Sequence, residues 1–228
     1  MVSMVVKLPE RLTVRLYGYS EADRLADVSR GTSKRWIEGY SYHQTDGVRV
    51  TQPPVTPGRS VVGGGVSFTD LVEIVAIGGF KRRGFSVPTI RKIVENCQER
   101  FGESYPLSTQ TFKVGGRDVF VSLESGLHDV LRRQGAVAWD EVLAPFLDTL
   151  DYRDAFAYRW WPLGRSRQIV IDPAYGYGLP VIADSGVRTE TIRERFEVGD
   201  SIAQIACDFN VQAEEVQSAI QFELQRAA

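Results

Sequence analysis

Between Ser29 and Trp36 the chain reads SRGTSKRW, which places three cations, Arg30, Lys34 and Arg35, within six residues. A guanidinium or ammonium can hydrogen-bond a guanine edge or neutralise a backbone phosphate. Further cations follow at Arg49, at Arg59 and in the run Lys81, Arg82, Arg83. Together they could hold a polyanion. An ordinary helical corner with a solvated basic face would show the same residues, so the elements that carry them must decide.

Those elements can be read from their punctuation. Ser20 with Asp23 three residues on forms a capping pair for a first helix with Ala22 and Leu25 inside, and Asp27 falls where the chain must turn. Ser29 is the expected cap of a second helix, with Thr32, Trp36 and Ile37 facing inward and Gly39 ending it. Residues 40–65 hold an Asp46-Gly47 turn signal, three prolines and a β-like VRVT, the pattern of a hairpin or wing followed by a loop. Ser67 with Asp70 opens a third helix with Phe68, Leu71, Val72 and Val75 on one stripe, closed by KRRG. Ser86 opens a fourth, with Pro88 in its first turn, Ile90, Ile93, Val94, Cys97 and Phe101 at helical spacing, and Gly102 as its stop. Two short helices, a hairpin and a helix pair are the layout in which the second helix enters a major groove of double-stranded DNA. On that layout Arg30, Ser33 and Lys34 are expected to reach base edges, because the first turns of a reading helix lie closest to them. Arg35, Arg49, Arg59, Lys81, Arg82 and Arg83 are expected to contact phosphates. One short helix rarely secures a specific site, so a homodimer on two half-sites is expected.

Past Gly102 a second domain is expected, giving domains of 1–102 and 103–228. The stretch TFKV-GG-RDVFV alternates with period 2 and reads as a hairpin with a Gly115-Gly116 turn. A helix from Trp139 to Leu150 follows, and FAYRWWPLGRSRQIVID reads as two strands joined at Pro162–Arg167. The remainder reads as three helices. Ile192 and Phe196 stripe the first before Gly199, Ser201 with Gln204 opens the second, and Val216, Ala219, Ile220 and Glu223 mark the third. Tyr158, Trp160 and Trp161 form the densest aromatic cluster. Strand alternation puts the first two on one face and Trp161 on the other, so that one face is core and the other is free for contact.

Charge separates the halves. Residues 1–100 carry 15 Lys and Arg against 10 Asp and Glu, whereas residues 101–228 carry 12 against 19. Residues 187–228 alone carry 4 Arg against 8 acids, and their last helix opens with Glu214 and Glu215. Carboxylates there would repel phosphate, so the three-helix segment is expected to bind or dimerise with protein, not DNA.

Several classes are disfavoured. No apolar run approaches the roughly 18 to 20 residues of a membrane span, and MVSMVVKLPERLTV is interrupted by Lys7, Pro9 and Glu10, unlike a signal peptide, so a cytoplasmic protein is expected. Two cysteines, Cys97 and Cys207, and two histidines, His43 and His128, give no metal-ligand spacing. VVGGGVSF lacks the Lys-Ser/Thr ending of a phosphate loop, YGYG lacks the dinucleotide spacing, and His128 in GLHDVL has no nucleophile to serve. The expectation is a protein without metal or cofactor that binds and does not catalyse.

The segment YSEADRLADVSRGTSKRWIEG resembles the MerR-type helix-turn-helix pattern, and SFTDLVEIVAIGGFKRRGFSVPTIRKIVE resembles the two helices that follow it in such proteins. RWWPLGRSRQIVIDP, GYGLPVIADSGVRTETI and VGDSIAQIACDFNVQAEEVQSAIQFE together resemble DUF433. In this order the combination resembles the VapB45-like antitoxins. The resemblance implies an α+β, mainly α fold, a winged helix-turn-helix followed by a small sheet and a trihelical DUF433-like part. It implies an antitoxin of a type II toxin-antitoxin pair that represses its own operator and binds a PIN-like toxin, and it turns Tyr158, Trp160 and Trp161 towards a partner surface. The alternative is a stand-alone MerR-like ligand-responsive regulator. An aromatic-lined cavity would favour that alternative, and an exposed apolar patch would favour toxin binding. The sequence departs from the pattern at Asp23, where a small residue is usual, at Asp27 for Gly and at Ser33 for a core Leu. Gly31, read as interior to the second helix, would cost ~1 kcal/mol relative to Ala.

Overall fold

The computed structural model describes residues 8–56, 64–124 and 139–226. The fold is mixed α+β and mainly helical, with its strands confined to two-stranded sheets. It forms two compact units, Met1–Asp148 with Tyr152–Ala157, and Thr149–Asp151 with Tyr158–Ala228. Among the described residues no helix is long and apolar enough to cross a membrane.

The first unit is built around α4 (Phe68–Arg82). Every residue from Phe68 to Phe80 is buried, where the sequence suggests a single stripe. The reason lies in its neighbours: α1 (Glu10–Thr13), α2 (Tyr19–Leu25), α3 (Thr32–Glu38) and α5 (Val87–Phe101) all pack on α4, as do a 3-10 turn at Pro106–Ser108 and a π-helical turn at Trp139–Leu143. A helix that is apolar on all sides must be covered on all sides. The expected capping box is present, with the Ser67 hydroxyl accepting from Asp70 N at 3.1 Å and the Asp70 carboxylate accepting from Ser67 N at 2.9 Å. α5 is likewise as expected: Ser86 caps it, and Ile90, Ile93, Val94 and Cys97 are buried.

The boundary expected near residue 103 falls inside this unit. Gly102 does end α5, but the 3-10 turn beyond it packs on α4 and α5, with Leu107 and Ser108 buried. TFKVGGRDVFV is also not a hairpin. It lies in α6 (Gln110–Glu124), whose first turn is capped by the Thr109 hydroxyl accepting from Phe112 N at 3.1 Å. The two glycines that read as a turn are places where rings approach the helix. A Cβ on Gly116 would stand 2.6 Å from the Trp139 ring and 2.8 Å from the Phe112 ring, closer than any side chain allows.

The helix expected from Trp139 to Leu150 is the π-helical turn followed by α7 (Ala144–Asp148). Leu150 already belongs to β3 (Leu150–Arg153), which pairs with β4 (Phe156–Trp160). The division between the units runs through this hairpin.

In the second unit the expected pair of strands is found as β4 and β5 (Ile169–Val170), bridged at Trp160 and Ile171 by two backbone bonds of 2.9 Å. β5 pairs antiparallel with β6 (Val181–Ile182), Ile169 opposite Ile182. The three expected helices are α8 (Thr189–Glu197), α9 (Ile202–Phe209) and α10 (Ala213–Gln225). Ile192, Ile205, Val216, Ala219 and Phe222 are buried among them. Ser201 caps α9, accepting from Gln204 N at 3.2 Å. Glu223 is buried and accepts a hydrogen bond from the Thr189 hydroxyl at the start of α8.

One carboxylate in α4 has a consequence that can be measured. Glu73 is fully buried, and its Oε1 accepts from Ser108 N at 2.9 Å, holding the 3-10 turn on the helix. Its Oε2 has no hydrogen-bond partner among the described residues. Burial pushes its pKa from 4.5 up to about 8, against the opposing pull of the Ser108 and Leu107 N–H groups. The folded protein therefore holds a proton that the unfolded chain releases near 4.5, so Glu73's contribution to stability is present below 4.5 and is lost as pH rises to about 8. Glu73→Gln keeps an acceptor for Ser108 without the charge. Thermal melts from pH 5 to 8.5 should show the variant gaining steadily on the wild type; parallel curves would show that Glu73 does not titrate in this window.

Candidate functional site

The basic segment is held by a carboxylate. α2 and α3 are joined by a turn in which Asp27 has φ 52 and Gly31 has φ 79. Asp27 thus takes a left-handed conformation at the turn expected there, but the expected caps are not the ones used. α2 begins at Tyr19 with Gly18 as its N-cap, so Ser20 lies inside the helix. α3 begins at Thr32 with Gly31 as its N-cap, so Ser29 is not the cap and Gly31 carries no helix-interior penalty. In their place the buried Asp23 carboxylate accepts from Gly31 N at 2.5 Å and from Ser33 N at 2.7 Å. An acid of the first helix thus caps the second.

Four inward side chains, Thr32, Ser33, Trp36 and Ile37, dock α3 on its neighbours. Ser33 is 0% exposed, so it cannot reach a base edge and is withdrawn from that role; it occupies the core position at which the pattern has Leu. Lys34 and Arg35 project outward from α3, and Arg30 is exposed on the turn before it. Arg30 forms no hydrogen bond or ion pair among the described residues. Lys34 lies 3.8 Å from Glu38, whose other carboxylate oxygen accepts the Tyr19 hydroxyl at 2.5 Å, tying the end of α3 to the start of α2. Burial, with the bond to Glu38 next, raises the Tyr19 phenol above its ordinary value.

The expected hairpin is present. β1 (Tyr40–His43) pairs antiparallel with β2 (Arg49–Gln52), Tyr40 opposite Gln52 and His43 opposite Arg49, and Gly47 sits in the turn with φ 83. Arg49 is exposed and reaches the Ser41 hydroxyl at 3.4 Å. Tyr40 and Tyr42, two residues apart on the other face, stack with ring centres 6.0 Å apart. Arg59 lies outside the described residues.

The run at the end of α4 divides by role. Lys81 is exposed with no ion pair among the described residues. Arg82 donates to the Asp27 carbonyl at 3.1 Å and lies 3.7 Å from its carboxylate, so it also braces the α2–α3 turn. Arg83 is paired with Glu141. A depression of about 530 Å³ brings Arg35, Lys81 and Arg82 together with Arg91, between walls that include Trp36 and Tyr40. Arg91 was not among the residues expected. It is placed by a long-range contact, donating to the carbonyls of Pro53 at 2.9 Å and Pro54 at 3.1 Å, and nothing local in α5 signals this. Arg30, Lys34 and Arg49 do not line the depression.

In the second unit the aromatic cluster is engaged internally. Trp160 is 4% exposed and offers no surface to a partner, which removes it from the contact residues. Trp161 is half-buried. Its indole N–H donates to Asp151 at 2.9 Å, and the guanidiniums of Arg159 and Arg165 each lie 5.8 Å from its ring. Arg159 also stands over the Tyr158 ring at 5.5 Å and donates to the buried Asp172 at 2.9 Å, while Arg165 pairs with Asp151 at 2.6 Å. Tyr158 is half-buried. Of the cluster only Trp160 is core; Tyr158, which alternation put on the same face, is half-buried like Trp161, and two carboxylates and two guanidiniums already surround these two rings.

This strand, bridge and three-helix arrangement coincides with a known family model. Residues 169–222 match DUF433. That family is described as a protein of unknown function. The chain is also similar over nearly its whole length to two proteins of Mycobacterium tuberculosis (strain ATCC 25618 / H37Rv). It is 25% identical over 230 residues to "Putative antitoxin VapB45", covering 94% of this chain and 96% of that one. It is 27% identical over 231 residues to "Uncharacterized protein Rv2308", covering 91% and 89%. The crystal structure of Rv2018 from Mycobacterium tuberculosis has the same fold, with a TM-score of 0.69 at 21% identity over 91% of this chain and 98% of that one. The DUF433 match begins at Ile169, so Tyr158, Trp160 and Trp161 precede it, and it takes in β5, β6 and most of α10.

If Asp23 sets the direction of α3, its loss should be felt as stability. Asp23→Ala leaves the buried Ser33 N–H and the part-buried Gly31 N–H without their acceptor and should cost roughly 1 to 3 kcal/mol in urea unfolding. Asp23→Asn keeps one acceptor oxygen and should cost less. An unchanged midpoint in Asp23→Ala would show that water or the backbone replaces the cap.

Proposed function

We propose that this protein is an antitoxin of a type II toxin-antitoxin pair, acting as a homodimer that binds operator DNA through its first unit and a PIN-like toxin through its second. The observation that carries the antitoxin reading is similarity to a protein named as an antitoxin over 94% of this chain. DNA binding is supported by exposed cations: Arg30, Lys34 and Arg35 around α3, Arg49 on the hairpin and Lys81 with Arg82 at the end of α4. The helices α2 and α3 form the helix-turn-helix on this reading, and β1 with β2 forms the wing. The acidic balance of residues 187–228 directs the second unit to a protein partner. The protein acts by binding, not by catalysis.

A second reading, a ligand-responsive regulator, is favoured by the depression beside α3, whose size is that of small-molecule sites and whose walls include Trp36 and Tyr40. The two differ in what relieves repression: toxin stoichiometry in the first, a small molecule alone in the second.

With Ser33 buried, the base-edge contacts fall to Arg30 and Lys34 and the phosphate contacts to Arg35, Arg49, Lys81 and Arg82. The test is fluorescence anisotropy on DNA from upstream of the protein's own gene, against a scrambled duplex at several salt concentrations. Arg30→Ala or Lys34→Ala should cost about 1 to 3 kcal/mol on the upstream site and little on the scramble, whereas Arg49→Ala or Lys81→Ala should weaken both alike and lower the salt slope by roughly one. Equal affinity for both duplexes, untouched by Arg30→Ala and Lys34→Ala, would reduce the segment to a basic corner.

A further inference from the structure

The trihelical part of the second unit buries one stripe of α10 and leaves another uncovered. Val216, Ala219, Phe222 and Glu223 face inward. Gln217, Gln221 and Leu224, spaced four and three residues apart, lie exposed along a second line of the helix, with the buried Ile220 beside them. With Phe196 from α8 and Ile202 from α9 this line forms an open groove of about 400 Å³. Leu224 is 56% exposed and Phe196 41%. None of the seven residues that line the groove is charged, although residues 187–228 carry twelve charged side chains. Loss of charge from an apolar strip within a highly charged surface is the composition of an interface centre.

The net charge of the segment selects the occupant. Two of the four arginines of this segment are committed to its own acids: Arg193 to Glu197 at 2.7 Å, and Arg195 to Asp200 and to Asp208, the latter at 2.7 Å. Arg226 stacks on Phe222, and at the rim Arg167 donates to Gln221 at 2.9 Å. Glu190, Glu194 and Glu214 form no ion pair among the described residues, and the segment as a whole has four more acids than bases. A second copy would bring the same excess of acid to the same groove, and like charges across an interface oppose pairing. A helix with an apolar stripe flanked by lysines or arginines meets both features at once.

We propose that this groove seats an amphipathic helix of the partner protein, one whose apolar side chains recur every three or four residues between basic flanks. The proposal rests on the antitoxin reading, which makes that partner the toxin. Phe196, Ile202 and Leu224 are then the contact residues, in place of the buried Trp160.

The test uses the full-length protein and the purified product of the gene beside its own, with binding measured by calorimetry. Leu224→Glu sets a charge in the groove without touching the core and should weaken binding at least about tenfold. Val198→Glu, at a side chain 79% exposed and outside the groove lining, should not. Circular dichroism melts of both variants should match the wild type. Equal affinity for all three proteins would overturn the groove and leave the antitoxin reading standing. No binding by the wild type would overturn that reading and this proposal with it. A change in the mass of the protein alone on Leu224→Glu, read by light scattering, would show the groove filled by a second copy and would also overturn the proposal.

Discussion

The first unit depends on covering α4 on every side. A helix with no polar face cannot rest at a surface, so α1, α2, α3, α5 and the turns after α5 are all drawn onto it. The same requirement buries Glu73 and Asp70. The raised pKa of Glu73, to about 8, follows from a carboxylate shut in with a helix that has no water-facing side. In exchange Glu73 supplies the acceptor that fastens the 3-10 turn, and with it α6, to the same core. Cys97 shares this environment: burial, and then the Glu73 charge, push its thiol up to about 12 and keep it protonated.

What the unit presents follows from what it must hide. Docking Thr32, Ser33, Trp36 and Ile37 on the core leaves Lys34 and Arg35 pointing away from it. Asp23 fixes the rotation, since a carboxylate that holds both Gly31 N–H and Ser33 N–H permits α3 only one start. The basic face is thus the complement of a packed face, and its direction is set by one buried acid. Arg82 adds a second tie, from the end of α4 to Asp27. Removing that arginine would disturb the turn as well as the charge.

The second unit handles charge differently. Arg159 and Arg165 are matched to Asp151 and Asp172 around Trp161, and Arg193 and Arg195 to acids on α8, α9 and their connection. These pairs are largely satisfied within the unit, so the cations most available to phosphate belong to the first unit. The uncharged strip along α10 belongs to a segment with four more acids than bases.

How much of this could be read from the residues alone depends on how far each interaction reaches. The Ser67–Asp70 box, the Ser86 and Ser201 caps, the turn at Asp27 and the Asp46-Gly47 turn were legible because each joins groups within three or four residues, where types and spacing state the geometry. The three C-terminal helices and the hairpin were legible for the same reason. TFKVGGRDVFV misled because its glycines make room for Phe101, Phe112 and Trp139, a purpose visible only once those rings are in place. The Thr109 cap was a local signal for that helix which the alternation overshadowed. Tertiary structure alone decided that Asp23 caps a helix it does not belong to, that Ser33 and Trp160 are buried, that Arg91 joins Arg35 and Lys81, and that one side of α10 stays open. Local hydrogen bonds are satisfied or missed within a turn of chain, so sequence determines them; burial depends on which distant element arrives to exclude water, and only the folded chain determines that.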